Sequence, residues 1–87
     1  AQAPEHVLVI PKGPYVCFDH FANNASDAEI LDFTRAIAKV TGSLKVDFGG
    51  GGNGYRLIAN SGKDGMQEVP HLHVHVVAGR SLGRMLS

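Results

Sequence analysis

At 87 residues, 44% of them apolar, the chain has room for one small domain and too many core-forming side chains for a disordered tail. Eight acidic residues balance eight basic ones, so no net charge draws it toward nucleic acid or a membrane surface. One cysteine, Cys17, excludes an internal disulfide and fits a reducing, cytoplasmic setting, and no stretch approaches the roughly 20 apolar residues of a membrane span.

Residues 6–10, HVLVI, form a β-branched apolar run closed by Pro11 and Gly13, which predicts a strand. The following PKGPYVCFDHFANN carries turn chemistry at both ends, with a short extended piece around Tyr15–Phe18. Ser26-Asp27-Ala28-Glu29 has the S-x-x-E form of a capping box, in which hydroxyl and carboxylate satisfy orphan amides at a helix start. Ile30, Phe33, Ile37 and Val40 then recur at close to helical period and Gly42 supplies a stop, so the pattern predicts a helix over 27–41. The run GGGGNG at 49–54 formally contains G-x-G-x-x-G. A dinucleotide fingerprint follows a strand and opens a helix, whereas these glycines follow a helix and lead into a strand, with no Lys-Ser/Thr pair behind them. They read as a flexible connector. Tyr55–Ala59 reads as a strand, 60–65 (NSGKDG) as a tight loop, and Val69–Val77 as the last strand. The plan is α+β, without repeats or an interdomain linker.

Residues 71–77, HLHVHVV, hold three of the five histidines at two-residue spacing. On a strand, His71, His73 and His75 share one face while Leu72, Val74 and Val76 share the other, the natural seat of the 27–41 helix. Three histidines in register make a purely structural role the minority reading. A metal site ranks second. Strand rise sets the outer two histidines about 13 Å apart, too far to share one ion with bonds of about 2 Å, so such a site would need His6 or His20 as a further ligand. The third reading is nucleophilic and acid–base chemistry at phosphorus, which neutral imidazole supports near pH 7. Asn60 and Gln67, just upstream, could stabilise charge on phosphoryl oxygens.

HLHVHVV fits the histidine-triad pattern, His-x-His-x-His followed by two hydrophobic residues. DGMQEVPHLHVHVVAGR resembles the matching segment of histidine-triad nucleotide-binding proteins, the Hint branch of the superfamily. APEHVLVIPK resembles the family's upstream strand with its own histidine, and GYRLIANSG the strand that ends in the family's phosphate-side asparagine. These blocks occur in the family's order across nearly the whole chain. The resemblance implies an antiparallel sheet with one main helix on one face, and a nucleotide-binding hydrolase of purine nucleoside phosphoramidates. His73 would be the nucleophile forming a nucleotidyl-histidine intermediate, His75 would hydrogen-bond phosphate, and His71 with His6 would support them. Asn60 would orient phosphate or ribose oxygens, and Met66, Gln67 and Glu68 would line the phosphate. No metal or other cofactor is required. The partners implied are AMP or GMP derivatives and a second copy of the chain, the two sheets joining across a two-fold axis. A dinucleoside polyphosphate hydrolase or nucleotidyltransferase of the same superfamily, and a non-enzymatic nucleotide- or zinc-binding module, stay open beside this reading.

Some positions depart from the family pattern. Glu68 stands where relatives place a serine near phosphate, and Pro14 where a second histidine often follows the I-P-K block. The tail GRSLGRMLS lacks a tryptophan that some relatives use near the partner's active site. Family domains also carry residues ahead of the A-P-x-H block that line the nucleobase pocket. Opening with Ala1 near that block, residues 1–87 read as a partial HIT domain, processed or truncated at the front.

Overall fold

The computed structural model describes residues 5–80. Within them the chain runs β1 (Glu5–Val9), α1 (Phe18–Asn24), α2 (Asp27–Ser43), β2 (Tyr55–Ile58) and β3 (Val74–Ala78). The sheet order is β1-β3-β2, so the histidine-bearing strand is central and antiparallel to both neighbours.

Register sorts the side chains onto two faces. Val7 and Leu57 both lie opposite Val76, and Val9 lies opposite Val74, which gives an apolar face. On the other face Leu8 and Ile58 flank His75, while His6 and Arg56 flank Val77. Helix α2 covers the apolar face. Phe33 meets Phe21, Val9, Leu72, Val74 and Val76 in one buried cluster, with Ile30, Ile37, Val40 and Leu44 packed at its margin. Phe21 and Phe33 meet edge to face at 5.1 Å, the geometry aromatic quadrupoles favour.

The start of α2 is as its sequence implies. Ser26 Oγ accepts from the Glu29 amide at 3.1 Å, and Glu29 Oε1 accepts from the Ser26 amide at 3.0 Å. The end differs. Gly42 does not stop the helix, which runs to Ser43; Lys45, at φ 60, is the left-handed residue. The Lys45 and Val46 amides bond the Gly42 and Thr41 carbonyls, a Schellman arrangement. It buries Val46, and that packing outweighs the ordinary preference for glycine.

Two expectations about the loops are corrected. Phe18 opens a helical turn and is not part of an extended piece. Helix α1 has no side-chain cap and is held by Phe21, which is 2% exposed in the core. The glycine run is a built turn, with backbone bonds from Gly50 and Gly52 to the Asp47 carbonyl, from Gly51 to Phe48 and from Gly54 to Val46. A Cβ on Gly52 would lie 2.4 Å from the Val46 carbonyl carbon, so this approach needs glycine. The expected α+β architecture, an antiparallel sheet with one main helix on one face, is the one observed.

Candidate active site

Of the three clustered histidines only His75 lies within the regular ladder, because β3 begins at Val74 and not at Val69. The cause is local. Pro70 has no amide to donate, the His71 amide bonds back to the Val69 carbonyl at 2.8 Å, and the Leu72 amide is taken by the Tyr15 carbonyl at 2.7 Å. Alternation nevertheless persists: Leu72, Val74 and Val76 are buried, while His71, His73 and His75 are half-buried.

Each imidazole has a defined partner. His73 Nδ1 lies 2.9 Å from the His71 carbonyl oxygen. A carbonyl can only accept, so Nδ1 carries the proton and Nε2 of the neutral ring keeps a free lone pair. His71 Nδ1 likewise donates to the Leu72 carbonyl at 3.1 Å. Between β1 and β3, His6 Nε2 and His75 Nδ1 are 2.9 Å apart, with ring centroids at 5.1 Å. The His73 and His75 rings meet edge to face at 5.0 Å. Burial, then the nearby His73 and His6, hold His75 below the ordinary histidine value, which favours its neutral form.

The remaining candidates fall into two groups. Asn60 is half-buried two residues beyond Ile58, the partner of His75, and so leaves β2 on the imidazole side. In the 62–66 turn Met66 takes a left-handed backbone, φ 59, and is 75% exposed. Glu68 is exposed. Gln67 is committed to other parts of the protein. Its Oε1 accepts from the Gly62 amide, and its Nε2 donates to the Val16 and Val69 carbonyls. That role had no signal in the sequence, since it joins positions 51 residues apart.

His6 joins the cluster, whereas His20, on α1, accepts the Val16 amide at its Nδ1 and rests edge-on to Tyr15. Among the described residues no three His, Cys, Asp or Glu side chains are placed to hold one metal ion. Clefts of about 560 and 520 Å³ lie along α2, one beside Ile10 and Lys12, the other against Tyr55 and Leu57; no histidine lines either. The imidazoles belong to the sheet face opposite α2. Residues 81–87, most of the tail noted above, and Ala1–Pro4 of the first block lie outside the described residues.

The family model for the HIT domain matches residues 1–82. An uncharacterized 13.2 kDa HIT-like protein of Azospirillum brasilense is 50% identical over 99% of this chain and 67% of its own length. A purine nucleoside phosphoramidase of Escherichia coli is 37% identical over 99% of this chain and 68% of its own length. A histidine triad protein of Clostridium difficile superposes with a TM-score of 0.74 at 35% identity, over 94% of this chain and 67% of that one. The chain thus spans about two thirds of the length of these relatives. A domain match over nearly every residue, relatives well above 30% identity and a shared fold agree: the chain belongs to the HIT family.

Proposed function

We propose that the chain is a nucleotide-binding hydrolase that cleaves nucleoside 5′-monophosphate derivatives, purine nucleoside phosphoramidates foremost. The observation that carries this reading is the His73 ring, whose Nδ1–H is held on the His71 carbonyl so that the Nε2 lone pair is open to attack phosphorus. The similarity to a purine nucleoside phosphoramidase supports the choice of substrate.

Two displacements make up the route. His73 Nε2 attacks the α-phosphorus, the bond to the leaving amine breaks, and the nitrogen takes a proton from solvent water as it departs. Water then attacks the nucleotidyl-histidine and gives up a proton to solvent, the N–P bond breaks, His73 Nε2 regains its lone pair and the nucleoside monophosphate is released. His75 hydrogen-bonds the phosphate through Nε2–H. This requires His6 to donate its Nε2–H to His75 Nδ1, which the 2.9 Å contact permits. Asn60 orients phosphate or ribose oxygens, and His71 supports the network. Met66, Gln67 and Glu68 line the phosphate as a segment; the Met66 and Gln67 backbone amides and the Gln67 carboxamide are engaged within the protein, which leaves the Glu68 backbone amide as the donor this segment offers. The scheme calls for no metal or cofactor. A homodimer and a cytoplasmic setting complete the proposal.

Turnover of adenosine phosphoramidate and of a diadenosine polyphosphate, measured side by side, tests the reading. Faster cleavage of the phosphoramidate is expected, abolished in His73→Ala while AMP affinity stays within about tenfold, or ~1.4 kcal/mol. Faster cleavage of the polyphosphate would move the chain to the dinucleoside polyphosphate hydrolases. AMP binding without turnover of either substrate would leave a non-enzymatic module.

A further inference from the structure

We propose that Gln67 is a positioning residue for the His73 ring, holding in place the single peptide unit that fixes the ring's tautomer. The inference rests on His73 being the nucleophile of the proposed reaction, not on which leaving group is displaced.

The peptide between His71 and Leu72 is fastened at both ends. Its carbonyl accepts His73 Nδ1–H at 2.9 Å, and its amide donates to the Tyr15 carbonyl at 2.7 Å. Rotating this plane would release the ring and let the proton move to Nε2, which removes the nucleophilic lone pair. What holds the plane must therefore hold Tyr15 on one side and the approach to His71 on the other.

Gln67 reaches both. Its Nε2 donates to the carbonyl of Val16, the residue after Tyr15, and to the carbonyl of Val69, 3.0 Å away. That Val69 carbonyl also accepts the His71 amide at 2.8 Å. Its Oε1 accepts the Gly62 amide at 2.9 Å, which closes the 62–67 turn together with the Gln67 amide on the Gly62 carbonyl at 3.0 Å. One carboxamide thus uses its acceptor and both donors to join three backbone segments around the peptide that holds the nucleophile. The Leu72 side chain is anchored in the core, but the backbone of 67–73 has no helix or ladder bonds, so the effect of losing these bonds falls on the orientation of the His71–Leu72 peptide and of the His73 ring it holds.

The test uses the full chain with two substitutions. Gln67→Met keeps the length and loses every polar contact; Gln67→Glu keeps the acceptor for Gly62 and loses the donors to Val16 and Val69. Ring-nitrogen NMR of the unaltered chain should show His73 protonated at Nδ1. Both variants should show a mixture with the Nε2–H form, and kcat should fall roughly 10–100-fold, the scale of a misplaced reacting group, with KM within threefold. A wild-type His73 protonated at Nε2 would overturn the proposal without any variant. So would folded variants that keep the Nδ1–H form, or that lose AMP affinity with the tautomer unchanged, the mark of a phosphate ligand. If the unaltered chain cleaves neither nucleotide substrate, the function reading fails, and the tautomer measurement still decides this one.

Discussion

His6 and His75, 69 positions apart in sequence, are joined ring to ring by a 2.9 Å hydrogen bond between β1 and β3. The antiparallel register puts His6 opposite Val77, one diagonal step from His75 on the same face, within reach for imidazole-length side chains. This contact converts three clustered histidines into a four-membered network.

Its first consequence is a pH dependence. His75 is held below 6.5 by burial and by its two histidine neighbours. Between that lowered value and 6.5 the unfolded chain binds more protons than the folded one. The stability contributed by neutral His75 is thus complete above about pH 6.5 and lost as pH falls through the folded value. In His6→Ala the ring gains solvent and loses one neighbour, so its NMR titration midpoint should rise toward 6.5. A midpoint that stays or drops would show that His6 does not shape the site's charge.

Leu72, between two candidate site histidines, is 1% exposed and packs with Val74 and Val76 beneath the sheet. Leu72→Ala should cost about 2–5 kcal/mol in urea unfolding, the usual range for a buried leucine. A loss below 1 kcal/mol would mean that the residue is not closely packed.

Ser26 caps α2 through the Glu29 amide. Ser26→Ala should cost about 1 kcal/mol, read as a lower urea midpoint with unchanged slope. Glu29 also accepts the Tyr15 hydroxyl at 2.8 Å, so the cap is tied to the segment that holds the Leu72 amide. The backbone bond from Ser26, then the Tyr15 and Ser26 side chains, hold the Glu29 carboxyl below the usual range.

Cys17 donates its thiol hydrogen to Asp19 Oδ1 at 3.1 Å and sits at the start of α1. Serine can make the same bond and is a better helix cap. Cys17→Ser should leave turnover unchanged and stability within about 0.5 kcal/mol. A large loss of turnover in the folded variant would bring the thiol into the chemistry.

What could be read in advance follows the range of the forces involved. Helix α2 was legible because the capping box and the Phe33 stripe are both local signals. Helix α1 was not: FDHFANN is rich in weak helix formers, and only burial of Phe21 against Phe33 makes it a helix. The shared face of His71, His73 and His75 followed from period-two spacing. That His71 and His73 precede the ladder did not, because the Tyr15 carbonyl that takes the Leu72 amide arrives from 57 residues away. His6 and His20 were equal candidates to join the cluster, only the family resemblance favoured His6, and nothing local marked Gln67 as a clamp.

The most direct test of the account is the mass of the protein caught during turnover. Acid quenching is avoided, since a phosphoramidate is acid-labile; a base-stable quench within one turnover of adenosine phosphoramidate preserves it. Intact-mass analysis should then find one added nucleotidyl group, located on His73 and absent from His73→Ala. Full turnover with no adduct, or an adduct on another residue, would contradict the assignment of His73 as the nucleophile.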